Sequence, residues 1–307
     1  MDNNYSIKIE YSPAYELIVS LYTFIYNRKL KTIDLREDWV KNTKDMLPAV
    51  FISELEDERW EVLHRIVLLI SQCSKKETIN EFLIWFERLS AGEIYERLAP
   101  WVDTISTELG LIRDKTVEIL YKWNEYYFKS IDPSILSQLK QDAKSKHEKV
   151  KSYQPIDLIE EATNGIRIEK SNDLKQLILI PQSHCYPSTI LDYFNGIATC
   201  LYPTSKRDNI DQTKGMLKLL QCIGDETRLK ILLYLAKEPR TLIEIHKYLG
   251  LAKSTIHHHI AQLRREGVIR SHFVGSSTPA YYSLRKKFIA EFTAEFKELF
   301  EGNGENI

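Results

Sequence analysis

The 307-residue chain lacks any long apolar run: Val67 to Ile70 and the stretch around Leu17 to Tyr26 fall well short of the roughly 20 residues that cross a bilayer. Its first residues, Met1-Asp2-Asn3-Asn4-Tyr5, put no basic residue ahead of an apolar core, so no secretory signal is read and the expected compartment is the cytoplasm. Cysteine is scarce. The four, Cys73, Cys185, Cys200 and Cys222, show no CxxC spacing in a chain too large to need disulfide staples, and four reduced thiols are expected. With 11 Gly and 10 Pro the chain has too little of either for a low-complexity or collagen-like protein. It also has no GxxxxGK[ST] phosphate loop, HExxH zinc helix or GxSxG nucleophile turn, and its one GxG, Gly302-Asn303-Gly304, lies in the tail. These absences turn the reading away from membrane proteins, disulfide scaffolds and the common enzyme classes; no catalytic residue, cofactor or metal is expected.

What is present is an ordinary globular composition, 43% hydrophobic and 28% charged, at a length that suggests two domains. The net charge is only -1, but it is unevenly spread. Residues 206–287 carry 16 Lys and Arg against 7 Asp and Glu, a net of +9, while 1–205 and the tail from 288 are acidic. A localised basic segment is what phosphate neutralisation requires, although a solvated basic face on a protein-binding module has the same composition.

The expected fold class is mainly α with small β elements: a mixed, mostly helical domain over 1–205, then a second domain over 206–307. Tyr5 to Glu10 alternates like a strand, and Ser12-Pro13 is a helix start with Pro at the first helical position. Helical spacing follows over Ile52 to Gln72, Glu77 to Leu89 and Leu111 to Phe128, and Lys140 to Lys151 reads as an exposed helix or connector. After Pro155 the pattern changes, and Leu174 to Pro181 and Gly196 to Pro203 read as strands stopped by proline. The polar run Thr204 to Asn209 is the expected boundary. All five tryptophans lie before residue 124, where aromatics at helical spacing serve a core or wrap an apolar ligand.

From Asp225 the pattern sharpens. Asp225 is an N-cap, with Leu229, Leu232, Leu233 and Ala236 as the expected inward face and Ile231 and Leu235 widening it. Pro239 ends that helix, Thr241-Leu242-Ile243-Glu244 is a capping box, and Gly250 stops a second, short helix. A third begins near Lys253. At 100° per residue Ile256, Ile260 and Leu263 share one side, and Ser254, His258, Ala261 and Arg265 lie opposite, flanked by Thr255, His257 and Gln262. Gly267 is expected at C′, with Val268 touching Leu263 in a Schellman stop. Two short helices joined by a tight turn, the second polar outside, make a helix-turn-helix, and Ile269 to Val274 with Ala280 to Leu284 makes a hairpin wing around Gly275-Ser276. Phe288, Ile289, Phe292, Phe296 and Phe300 stripe a last helix, fit to pack on the domain or on a second subunit.

At Leu219 to Leu284, and above all at Ile223-Gly224-Asp225-Glu226-Thr227-Arg228-Leu229-Lys230-Ile231-Leu232 and Leu251-Ala252-Lys253-Ser254-Thr255-Ile256-His257-His258-His259-Ile260, the chain resembles the ArsR family of bacterial winged-helix regulators. Ile7 to Pro13 and the strands between Leu177 and Pro203 also look like the N-terminal half of some long ArsR-like proteins. The resemblance implies a homodimer that binds an imperfect palindrome in double-stranded DNA, usually as a repressor released by an effector such as a small molecule. The residues expected at DNA are Lys253, Ser254, Thr255, His257, His258, Arg265, Arg270 and Ser276. The chain departs from the family's metal sensors, since Ile243-Glu244-Ile245-His246 holds no cysteine and no histidine follows His272. Many relatives place Gly-Arg at the wing where this chain has Gly275-Ser276. Successive helical residues point about 100° apart, so His257-His258-His259 does not chelate one ion; His259 is expected to be a hydrogen-bonded structural residue. His184-Cys185 is a thiol-imidazole candidate by adjacency alone. The competing reading is a winged-helix protein-interaction module without sequence-specific DNA binding.

Overall fold

The computed structural model describes residues 5–26, 37–55, 63–204 and 212–301. Trp60, Gly302 to Gly304 and most of the expected boundary run Thr204 to Asn209 lie outside the described residues. The fold is mainly α with small β elements. The chain divides into two compact units, residues 1–155 with 172–205, and residues 156–171 with 206–307. The segment 156–171 thus clusters with the C-terminal residues.

In the first unit, β1 (Ser6–Ile9), α1 (Pro13–Ile25), α2 (Glu37–Met46), α3 (Ala49–Leu55), α4 (Leu63–Gln72), α5 (Ile79–Arg88), α6 (Ala91–Leu98), α7 (Leu109–Tyr126) and α8 (Pro133–Lys149) precede the remaining strands. Ser12 caps α1 by accepting from the Ala14 amide, and capping boxes at Thr78/Glu81 and Ser90/Glu93 start α5 and α6. α1 is buried on nearly every side, its polar Glu16, Ser20 and Thr23 included. Trp123 is fully buried and Trp39, Trp85 and Trp101 pack against the same helical core, so these aromatics serve the core.

The sheet of this unit has the order β1-β3-β5-β4, in which β3 (Gln176–Gln182) and β5 (Ile197–Pro203) run parallel to β1 and the short β4 (Ile190–Tyr193) is antiparallel. Leu177 to Ile180 are all buried, as in a parallel strand covered on both faces: Ile178 and Ile180 join the helical core, and α8 packs on the sheet, where Tyr202 donates to Asp142. Proline does not stop β3, as the sequence suggested; the strand runs through Pro181 to Gln182. The Lys175 and Leu179 carbonyls accept from β1, so position 181 faces that same edge, where β1 has ended and no amide is needed.

The second unit opens with two elements the sequence pattern did not reveal, α9 (Pro155–Thr163, all but its first residue in this unit) and β2 (Ile166–Ile168). There follow α10 (Gln212–Ile223), α11 (Glu226–Lys237), α12 (Leu242–Leu249), α13 (Lys253–Arg265), β6 (Ile269–Phe273), β7 (Pro279–Leu284) and α14 (Lys286–Glu301). β6 and β7 form the expected hairpin, and β2 adds to its open side in parallel, pairing Ile166, Arg167 and Ile168 with Ser271, His272 and Phe273. Arg240 bridges to Tyr282 on the far side of β7. Ile231, Leu235, Ile245, Ile256, Ile260, Leu263, Val268 and Ile269 form this unit's core, each fully buried Ile or Leu contributing about 1.5–3 kcal/mol.

The inward face of α11 differs from the expectation. Ile231 and Leu235 are buried, whereas Leu229 and Leu233 are 50% and 60% exposed. α11 is apolar on more than one side, so periodicity alone did not select the side that meets α13 and β7.

Candidate nucleic-acid interface

Local chemistry fixes the helix-turn-helix. The Asp225 carboxylate caps α11 by accepting from the Arg228 amide, and this bond, with the nearby Arg228 and His259, holds its pKa below the ordinary value. The Thr241/Glu244 capping box opens α12, and Gly250, at φ 68°, closes it. One residue later, with Ala252 as its N-cap, α13 begins without a side-chain cap.

α13 is sharply two-sided. Ile256, Ile260 and Leu263 are buried, while Lys253, Ser254, Thr255, His257 and His258 are exposed and crowd its first two turns. Their donors and the partial positive charge of the helix start face outward together. Arg265 lies half-buried one helix end away, its Nε 3.8 Å from Glu266. Ser276 is exposed at the wing tip, where its hydroxyl accepts from the Thr278 amide. Arg270 is placed differently: its Nε donates to the buried Glu160 at 2.7 Å. His259 is half-buried, but its Nδ1 is 3.6 Å from Asp225 and has no hydrogen-bond partner, so the expected hydrogen bond is not made. Burial pushes its pKa down.

The far end of α13 is closed as the sequence implied. The Val268 amide donates to Leu263 and the Gly267 amide to Arg264, a Schellman stop around Gly267 at φ 68°. Sequence reasoning missed what abuts it. α9 ends in a stop of the same kind, with Asn164 at φ 54°, its amide donating to Glu161 and the Gly165 amide to Glu160. The Asn164 side chain lies over Gly267 so closely that an added Cβ would collide with its amide group. Arg264 donates to the Thr163 and Asn164 carbonyls at 2.8 and 2.7 Å, and Arg285 donates to Asn164 Oδ1 at 2.6 Å. Glu160 sits among Arg270, Arg167 and Arg285 at 2.7, 2.5 and 3.7 Å. Burial raises its pKa, but the hydrogen bonds and charges of Arg270 and Arg167 outweigh that, and the carboxyl stays below its ordinary value.

In the first unit, His184 does not pair with the Cys185 thiol. Its Nδ1 meets the buried Glu16 at 2.5 Å and its Nε2 the Tyr127 hydroxyl at 2.7 Å, while burial pushes the Cys185 thiol up to about 12. A thiol so held stays protonated and is no nucleophile at neutral pH. All four cysteines are buried and none is in a disulfide. Among the described residues no helix is long and apolar enough to cross a membrane, and no three His, Cys, Asp or Glu side chains are grouped to hold a metal ion.

Comparison with known proteins bears on this same region. Residues 225–271 match the family described as bacterial regulatory protein, arsR family, which takes in α11, α12, α13 and the start of the wing. NolR from Sinorhizobium fredii, a solved structure, is 18% identical over 32% of this chain and 95% of its own, with a TM-score of 0.25, a likeness too slight to carry an argument. No curated protein matches the chain. On its caps, its two-sided third helix and this family match, the C-terminal unit contains, over residues 225–271, a helix-turn-helix of the ArsR type, a DNA-binding module of transcription regulators.

Proposed function

We propose that the chain is a sequence-specific transcriptional repressor that binds operator DNA as a homodimer and answers a signal received by its N-terminal unit. The observation that carries this reading is the exposed polar start of α13, set on a helix whose opposite side is buried in the core. In this reading Ser254 and His258 meet base edges, with Arg265 at the far end of the same face. Lys253, Thr255 and His257 neutralise or hydrogen-bond phosphates, and Ser276 touches the backbone from the wing. Arg270, held by Glu160, acts on the interface from behind it.

Dimerisation is supported by α14. Phe288 joins the domain core, but Ile289 and Phe300 are 57% and 67% exposed, and the ring ladder Phe288-Phe292-Phe296-Phe300 leaves an apolar face for a second copy. A symmetric reader then fits a symmetric operator. Signal response is supported by connectivity: the chain passes between the units at 155–156, 171–172 and 205–206, so the C-terminal unit is tied to the other by three backbone connections. The N-terminal unit is a receiver of an effector, a small molecule in the simplest case, with no catalytic step assigned to it.

The exposed Leu229, Leu233, Ile243 and Tyr248 on α11 and α12 favour a second reading, a module that docks on protein and does not select DNA sequence. Salt-titrated fluorescence anisotropy on the DNA upstream of the gene, against scrambled competitor, separates the two. Repression predicts selective binding that weakens steeply with salt; the docking module predicts no selectivity at any salt.

A further inference from the structure

The segment 156–171 is not part of the matched family region, yet it is built into the back of the reading helix and the wing. Three separate sets of bonds hold it there. β2 covers the open edge of β6, with the Ser271 amide donating to Gly165 and the Glu169 amide to Phe273. Gly165 sits so close that an added Cβ would fall 2.8 Å from the Ile269 carbonyl. The two helix stops, Asn164 and Gly267, meet face to face, with Arg264 capping the last carbonyls of α9 and Arg285 bridging Asn164 Oδ1 and the Gly267 carbonyl.

The third set is electrostatic. The basic domain receives an acidic insert, four Asp and Glu against one Arg and one Lys over 156–171. Glu160, only 8% exposed at its side chain, holds Arg270 on β6 and Arg285 after β7, and Glu169 accepts from His272, whose other nitrogen meets Ser283 on β7. The buried carboxylate gathers three half-buried guanidinium groups around one point, and losing them would leave its own charge unpaired in the interior. Two of those groups, Arg270 on β6 and Arg285 after β7, belong to the segments that follow α13, and the helix end itself is held through Arg264 and Gly267.

We infer that Glu160 and Asn164 are positioning residues for DNA recognition: the insert 156–171 sets the angle of α13 and the place of the wing without touching DNA itself. The inference rests on the reading of α13 as the DNA-reading helix. Misplacing that helix weakens hydrogen bonds to base edges, which demand geometry, and spares the neutralisation of phosphates, which does not. The readout is therefore the ratio of affinities for selected and scrambled duplexes, a quantity that simple loss of folded protein does not change.

The test uses the full chain with Glu160→Gln and, separately, Asn164→Gly, which keeps the left-handed backbone and removes only the side chain. Duplexes are first selected by the wild-type protein from a random pool. Both variants are expected to lose about tenfold in the selected-to-scrambled ratio, the scale of one charge-assisted hydrogen bond, with scrambled binding held within about twofold. Hydrogen exchange of the free proteins is expected to quicken over residues 262–273. An unchanged ratio, or equal losses on both duplexes, overturns the positioning role. Unchanged exchange overturns the bracing itself. If the wild-type protein selects no duplex, the DNA reading fails, while the exchange arm still decides whether the insert holds α13.

Discussion

The two ends of α13 differ in almost every respect. Its start is open: it lacks a side-chain cap, and the polar residues of its first two turns, from Lys253 to His258, are exposed around the buried Ile256. Its far end is closed by a Schellman stop, overlain by Asn164, tied through Arg264 to the end of α9, and followed by a strand anchored on Glu160. A helix that must meet a partner surface with angular accuracy needs one free end and one clamped end. In the proposed reading the first two turns carry most of the contacts, and the last turn, Arg265 apart, carries the placement.

The comparison can be broken first at the clamped end. Glu160→Ala removes the buried carboxylate that three half-buried guanidinium groups share, and we expect the C-terminal unit to lose about 1–3 kcal/mol, read from hydrogen exchange of its core amides. Along the outer face of α13, the triple change of Ser254, His258 and Arg265 to Ala should cost selective binding about 1–3 kcal/mol for each base that is no longer read, with a smaller effect on thermal melting because none of the three is buried. Ahead of α13, Thr241→Ala removes the capping box of α12 and should cost about 1 kcal/mol in urea unfolding.

Acidity sharpens the same contrast. Glu160 is held low by Arg270 and Arg167 against its burial, and Glu169 by the His272 hydrogen bond, so the folded unit binds fewer protons than the unfolded chain. Their contribution is complete above the ordinary carboxylate value of 4.5 and is lost as pH falls below it through the lower folded values. Melting of the C-terminal unit followed through that range should fall steeply, and less steeply in Glu160→Gln. The smallest effect is expected of Lys253→Ala, which should weaken selected and scrambled DNA alike and reduce the salt slope by about 1.

The helix-turn-helix was legible in the sequence because its signals are local. Asp225, Thr241 with Glu244, Gly250 and Gly267 each mark a helix end within a few residues, and all four do so in the structure. The clamp was not legible. Arg270 and Glu160 lie 110 positions apart, β2 has only three residues, and α9 is a single short helix whose apolar pattern does not reveal its destination. Arg264 was hidden beside Arg265: adjacency gives both the same composition signal, and only the packing of α9 shows that Arg264 braces the helix end. The same limit applies to α11, where several apolar sides competed and long-range packing chose Ile231 and Leu235 over Leu229 and Leu233. β4, short and half-buried, carried too weak a pattern to be read.

The most direct test of the central claim is selection from a random duplex pool by the full chain, run beside the folded Ser254, His258 and Arg265 triple variant. The account expects a defined, two-fold symmetric sequence to be enriched by the wild-type protein and not by the variant. Enrichment of the same sequence by both would show that the outer face of α13 does not read DNA.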